Sequence, residues 1–244
     1  MINNIIDQIG NPEIFIQQVS IDCVIFGFHG HQLKVLLPKL KGLENKWTLP
    51  GGYIMQNEAI DSAAQRILKE RTGLKDIYLE QFSVFGNTER NTYETMKKFL
   101  ENNGSIPGPN HWSAKRFISI GYYALVDFTN VKPTPSYFDE FCDWYEIKKL
   151  PDLAFDHAEI IDKALSYLQQ SLDYKLVGLH LMPEEFTMKE LQVLYETILD
   201  KPLRRDNFQR KMLSLNILER LDKKYTGAAN KAPYLYRFKT ENQN

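Results

Sequence analysis

A chain of 244 residues is long enough for one large domain or two modest ones, each with its own core. With 43% hydrophobic and 25% charged residues, its composition is that of a globular protein and excludes a disordered or fibrous one. The formal net charge of −1 says nothing about a polyanionic partner, but its distribution does: Lys201 to Asn244 holds 11 Lys and Arg against 4 Asp and Glu. Cys23 and Cys142 fall in apolar, strand-like runs and read as buried free thiols, not as a disulfide framework or a Cys-rich metal site. No basic stretch followed by an apolar core opens the chain, and no run approaches the ~18 apolar residues needed to cross a bilayer. A cytoplasmic protein with no membrane partner is expected.

Ser20 to Phe28 and Gln32 to Leu37 are apolar, β-branched runs separated by the turn-like His29-Gly30-His31, and predict a hairpin. Trp47 to Leu49 predicts a short strand running into Pro50-Gly51-Gly52. Glu58 to Thr72 predicts a helix, because Ile60, Ala63, Ala64, Ile67 and Leu68 follow a 3.6 period; Asn57 is placed to cap its start and Gly73 to stop it. Strands at Ile77 to Phe85 and Phe117 to Val126 enclose a polar insert with a helical piece near Thr92 to Leu100, and Cys142 to Ile147 predicts a further strand. Asp156 and Glu159 then have capping-box spacing, with Phe155 and Ile160 placed as a staple, so a helix runs to about Gln170. These elements make an α+β domain over residues 1–170, with Ser171 to Lys175 as linker and a second domain over 175–244.

The second domain repeats the device. Thr187 and Glu190 form a capping box, Phe186 and Leu191 a staple, and the helix Met188 to Leu199 turns Leu191, Leu194, Tyr195 and Ile198 inward. Asp200-Lys201-Pro202 ends it. Arg205 to Leu213 predicts a second helix with Phe208, Met212 and, just past its end, Leu215 as the apolar side, leaving Asn207 and Arg210 outward. Ile217 to Leu221 and Tyr234 to Phe238 flank a turn containing Gly and Lys. Two helices followed by a basic hairpin is the pattern of a winged helix-turn-helix. Asn207 and Arg210 suit adenine and guanine edges, Arg204, Arg205 and Lys211 suit flanking phosphates, and Lys223, Lys224 and Lys231 belong to the wing.

In the first domain Gly52, Glu58, Arg66, Leu68, Glu70, Gly73 and Leu74 stand at the spacings of a Nudix box. On these residues the segment around 15 to 170 resembles the Nudix family, which implies an α/β/α sandwich with a mixed sheet. Two positions depart from the box: Ile67 and Arg71 stand where it carries catalytic glutamates. Positions 67, 70 and 71 share one helix flank, where three carboxylates would hold Mg²⁺ to activate water and clamp a pyrophosphate. This chain keeps only Glu70, so no metal, no cofactor and no hydrolysis is expected, and Glu70 reads as a surface or arginine-paired group. Such a cleft can still bind. Candidate effector contacts are Trp47, Tyr53, Arg71, Asn87, Arg90 and His157, set against plainer readings: Trp47 and Phe155 as core or staple, Asp156 as helix cap, His157 as first-turn surface.

The run from Phe186 to Leu213 resembles the helix-turn-helix portion of the NrtR-like family of Nudix-related transcriptional regulators. That resemblance implies a Nudix-like sensor before a winged helix, a homodimer on a palindromic operator, and an effector that is either ADP-ribose-like or, as in the arabinose-responsive branch, a pentose sugar. The expected function is a ligand-responsive regulator of double-stranded operator DNA. A Mg²⁺-dependent hydrolase of ADP-ribose or a related nucleoside diphosphate, and a protein-binding adaptor using the wing surface, are the alternatives. The polar insert is placed to shape either the pocket or the dimer contact.

Overall fold

Eight consecutive buried residues, Ile21 to Phe28, show why the first strand lies in the middle of its sheet: both of its faces are covered. The computed structural model describes residues 12–75, 77–90, 93–104, 108, 111–172, 181–224 and 232–239. Its contacts divide the chain into two units, Met1–Gly27 with Lys34–Tyr167 and Phe28–Leu33 with Leu168–Asn244. No helix among the described residues is long and apolar enough to cross a membrane.

The first unit holds all or most of β1 (Phe15–His29), β2 (Gln32–Leu40), β3 (Gly51–Met55), α1 (Ile60–Thr72), β4 (Glu80–Phe85), α2 (Tyr93–Asn102), β5 (Ile118–Asp127), β6 (Asp139–Glu146) and α3 (His157–Ser171). The sheet runs β4-β5-β1-β2-β6, with β3 pairing antiparallel to β1. α1 lays Ala63, Ala64, Ile67 and Leu68 on Ile21, Cys23, Ile25 and Leu36 of the sheet. Both cysteines are free and buried in that cluster.

Four local expectations need correction. The strand predicted at Trp47 to Leu49 starts later, at Gly51, and Trp47 makes only isolated bridges to Lys39 and Leu153. α1 begins at Ile60 behind Ala59, not under an Asn57 cap, because the Glu58 carboxylate turns back to the Met55 N–H and fixes the approach. Ile60 is 43% exposed and stands off the packing face, whereas Gly73 ends the helix as expected, at φ 73° with its N–H on the Lys69 carbonyl. Ser171, expected in the linker, is the last residue of α3; the rest of the 173–180 segment, Lys175 included, lies outside the described residues.

The second unit contains β7 (Phe186–Thr187), α4 (Met188–Leu199), α5 (Arg205–Ser214), β8 (Leu218–Lys223) and β9 (Tyr234–Phe238), with the strands ordered β7-β9-β8. The capping box forms as spaced: the Glu190 N–H donates to Thr187 Oγ1 at 3.2 Å and the Thr187 N–H to Glu190 Oε2 at 2.6 Å. Leu191, Leu194, Tyr195 and Ile198 of α4 are buried, and the Tyr195 ring meets Phe208 of α5 edge-on at 5.1 Å. Met212 is buried as expected, but Leu215 is exposed beyond the helix end. Lys231 lies outside the described residues.

Candidate functional site

The Nudix-box residues lock a loop to a helix. Glu58 accepts from Arg66 through both carboxylate oxygens and from the Met55 N–H at 2.7 Å. Arg66 holds the Glu58 carboxyl below its ordinary value, against a burial that opposes it. The same guanidinium donates to the Tyr53 carbonyl at 2.9 Å and to Glu70 at 3.0 Å. Gly52 faces Ile67 so closely that a Cβ there would lie 3.0 Å from Ile67 Cγ1. The aliphatic at position 67 is therefore part of the core and not a vacant ligand position.

Arg71 is equally committed. It donates to both oxygens of Asp139, at 2.7 and 3.2 Å, and to the Gly51 carbonyl at 2.8 Å. The Asp139 side chain is 0% exposed, so the pair is a buried bidentate contact across the first unit. Arg71 lines the cleft as expected, but its charge is cancelled from behind. Mg²⁺ does not fit this donor set: Glu70 is the one carboxylate left on the flank, and it is paired with Arg66. Among the described residues no group of three or more His, Cys, Asp or Glu is arranged to hold a metal ion.

Between β1, β3, α1, α2 and the start of α3 lies a cleft of about 230 Å³. Its floor is a buried charge cluster. Arg90, 5% exposed, reaches Asp156 at 2.6 and 2.9 Å, Asp22 at 3.5 Å and the Phe117 carbonyl at 3.2 Å. The Ser119 hydroxyl donates to Asp22, and His157 Nε2 faces the other Asp22 oxygen at 3.5 Å. His157 Nδ1 accepts from the Leu49 N–H at 2.8 Å, which puts the ring proton on Nε2, toward Asp22. Burial alone would raise the Asp22 carboxyl, but His157, Ser119 and Arg90 outweigh it and hold the group below its ordinary 3.8. Gly51 permits this crowding, since a Cβ there would lie 2.5 Å from Asp22 Oδ1. Aromatic and apolar side chains, Phe15, Tyr53, Phe117 and Phe155 among them, form the remaining wall.

In the second unit Arg204, Arg205, Asn207, Arg210 and Lys211 are all exposed at or on α5, opposite the buried Phe208 and Met212. Arg210 donates to the Asn207 side-chain carbonyl at 2.9 Å, so the two proposed base readers share a face. Beside them, on the wing strands, the Tyr234 ring carries Arg220 at 4.4 Å and Lys223 at 5.5 Å.

Residues 16–164 match the NUDIX domain and residues 178–238 match the NrtR DNA-binding winged helix domain. The chain is 31% identical over 227 residues to the "ADPR responsive transcriptional repressor NtrR" of Acinetobacter baylyi, covering 90% of this chain and 81% of that protein. This chain belongs to the NrtR family. Within it, the crystal structure of Shewanella oneidensis NrtR complexed with a 27mer DNA aligns at a TM-score of 0.67 and 27% identity, covering 91% of this chain and 94% of that one. A MutT/nudix family protein from Enterococcus faecalis shares the fold, at a TM-score of 0.67 and 22% identity over 93% of this chain and 88% of that one.

Not every predicted contact of this NrtR-family chain meets in the cleft. Tyr53, Arg71, Arg90 and His157 line it, whereas Trp47 and Asn87 do not. The Trp47 indole donates instead to the Tyr145 hydroxyl of β6 at 2.8 Å. Asn87 shapes the turn that aims Arg90: its side chain accepts from the Glu89 N–H and its carbonyl from the Arg90 N–H. His157 is buried and not first-turn surface, and Phe155 sits at φ 57° in the cleft wall. Asp156 carries Arg90 on its carboxylate, a role its capping-box spacing did not suggest. In the wing, Lys224 pairs with Glu190 of the capping box at 3.3 Å and so is not an unencumbered phosphate contact. Asp22 of the cleft, its buried support Ser119, the Arg71 partner Asp139 and Arg220 of the wing were not singled out from sequence. Asp22 had a visible signal, a charged residue inside the buried run Ser-Ile-Asp-Cys-Val-Ile-Phe, which demands a partner.

Proposed function

We propose that this chain is a ligand-responsive transcriptional regulator that binds operator DNA as a homodimer and senses a small, uncharged sugar of pentose size without hydrolysing it. Residues 1–170 serve as sensor and 175–244 as reader. One observation carries the choice of ligand: each guanidinium lining the cleft already faces a carboxylate, Arg66 with Glu58, Arg71 with Asp139 and Arg90 with Asp156. A pyrophosphate would meet cations already neutralised by these carboxylates, two of the pairs being largely buried, and drawing a guanidinium off a buried partner is costly. A neutral polyol needs no such displacement. Its hydroxyls find acceptors in Asp22 and Glu70, while the aromatic wall covers its C–H faces. ADP-ribose is the second reading, favoured by the response named for the Acinetobacter baylyi relative.

Band shifts with DNA from the protein's own promoter region test this. A specific complex should form, lose affinity on the order of a thousandfold between 50 and 200 mM salt if about six phosphates are contacted, and dissociate on addition of a pentose. Arg210→Ala should weaken it by about 1–3 kcal/mol and relax the preference at one base pair. Release by ADP-ribose and not by pentoses would select the second reading. Mg²⁺-dependent formation of AMP from ADP-ribose by the pure protein would overturn the proposal that the cleft does not hydrolyse its ligand.

A further inference from the structure

We propose that helix α2 is a fixed size filter, in which Met96 and Phe99 restrict the cleft to a single-ring ligand; the inference rests on the sugar reading and names its steric limit. The helix belongs to the insert between β4 and β5, and it turns Met96 and Phe99 into the cleft while Phe99 and Leu100 pack with Leu40, Leu43 and Ala154. Met96 Sδ lies 3.9 Å from the Tyr53 hydroxyl, so the helix and the β3 wall meet at the cleft.

The helix is anchored at its C-terminal end, and Arg90 ahead of it is held on the cleft floor. At its far end the Asn102 side chain donates to the Gly42 carbonyl at 2.6 Å and Asn103 to the Lys41 carbonyl at 3.3 Å. Gly42, at φ 79°, lets the helix come this near, because a Cβ there would lie 2.6 Å from Asn102 Cβ. Ahead of the helix Arg90 is fixed by Asp22, Asp156 and the Phe117 carbonyl. A helix buried along one side, bonded at its C-terminal end and preceded by a fixed Arg90 is a wall. It sets what fits and does not gate when the ligand enters.

The cleft that this wall bounds, about 230 Å³, is below the ~300–1,000 Å³ of pockets that take drug-sized molecules. A single sugar ring suits it. A second ring linked to the first must pass the Met96 and Phe99 side chains, so shortening either one admits a longer ligand without touching the floor.

Isothermal titration of the full chain with free L-arabinose and D-xylose and with their p-nitrophenyl pyranosides tests this in the wild type, Met96→Ala and Phe99→Leu. Met96 is only half-buried, so its variant keeps the test open if the Phe99 change perturbs folding. The wild type is expected to bind the aryl pentosides at least tenfold more weakly than either variant does. An aryl pentoside bound equally by the wild type and both variants, or by none of them, overturns the filter whatever the free pentoses do. Failure of the free pentoses to bind the wild type, with the variants still gaining the aryl pentosides, sinks the sugar reading and leaves the filter standing.

Discussion

Installing the two box glutamates, Ile67→Glu with Arg71→Glu, is expected to unfold the first unit instead of making it a hydrolase. Position 67 is 1% exposed and packs against Gly52 and the α1 core, so a carboxylate there is buried without a cation. Position 71 is worse. Its guanidinium holds both oxygens of Asp139, and a glutamate would leave that carboxylate unpaired and set a like charge beside it. Removing one partner of a buried pair costs about 3–5 kcal/mol, and the added repulsion raises that. A typical domain has only about 5–15 kcal/mol to lose. Urea unfolding followed by near-ultraviolet circular dichroism should show Arg71→Glu losing most of its transition. A double variant that is folded and cleaves ADP-ribose with Mg²⁺ would refute the claim that the flank has been rebuilt as core.

The second large effect belongs to Arg90→Met. The substitution keeps an unbranched stem but removes the guanidinium, and leaves Asp22 and Asp156 without their shared cation. A loss of about 3–5 kcal/mol is expected at pH 7. Its pH dependence is diagnostic. In the wild type the Asp22 carboxyl is held below 3.8, so its contribution is present above that value and is lost as pH falls through the depressed folded value. Without Arg90 one of the influences opposing burial is gone and the carboxyl moves up toward its unfolded value, so the variant has less of this contribution to lose on acidification than the wild type. Urea midpoints measured between pH 7 and pH 3.5 should therefore converge for the two proteins toward the acid end. Parallel curves would mean that Arg90 does not charge-stabilise Asp22.

Local rules were legible where the chain satisfies itself locally. The Thr187–Glu190 box, with donor and acceptor three positions apart, fixed the start of α4 to the residue. The start of α1 was misread for the opposite reason: Asn57 had the better capping chemistry, but Glu58 is drawn to Arg66 eight positions on and sets the entry instead. The helical period of the insert was visible, yet its role was not, since Asn102 docks on a turn 60 positions away. Cleft membership followed the same division. Arg90 and His157 were found because an arginine in a turn and a histidine opening a helix stand out. Asp139 was missed because its partner, Arg71, is 68 positions distant and looked like a free cation. Trp47 follows its plainer reading as a packed ring, since its partner Tyr145 is 98 positions away.

The Nudix-box residues of this chain also bear on what a motif testifies to. Gly52 makes room for Ile67, Glu58 and Arg66 fasten the incoming loop, and Gly73 bends the chain out of the helix. Each has sufficient mechanical reason to be where it is, and none requires a reaction to occur nearby. A search satisfied by those four positions detects a bracket that fastens loop to helix; whether a metal could sit beside it depends on the flank at 67, 70 and 71.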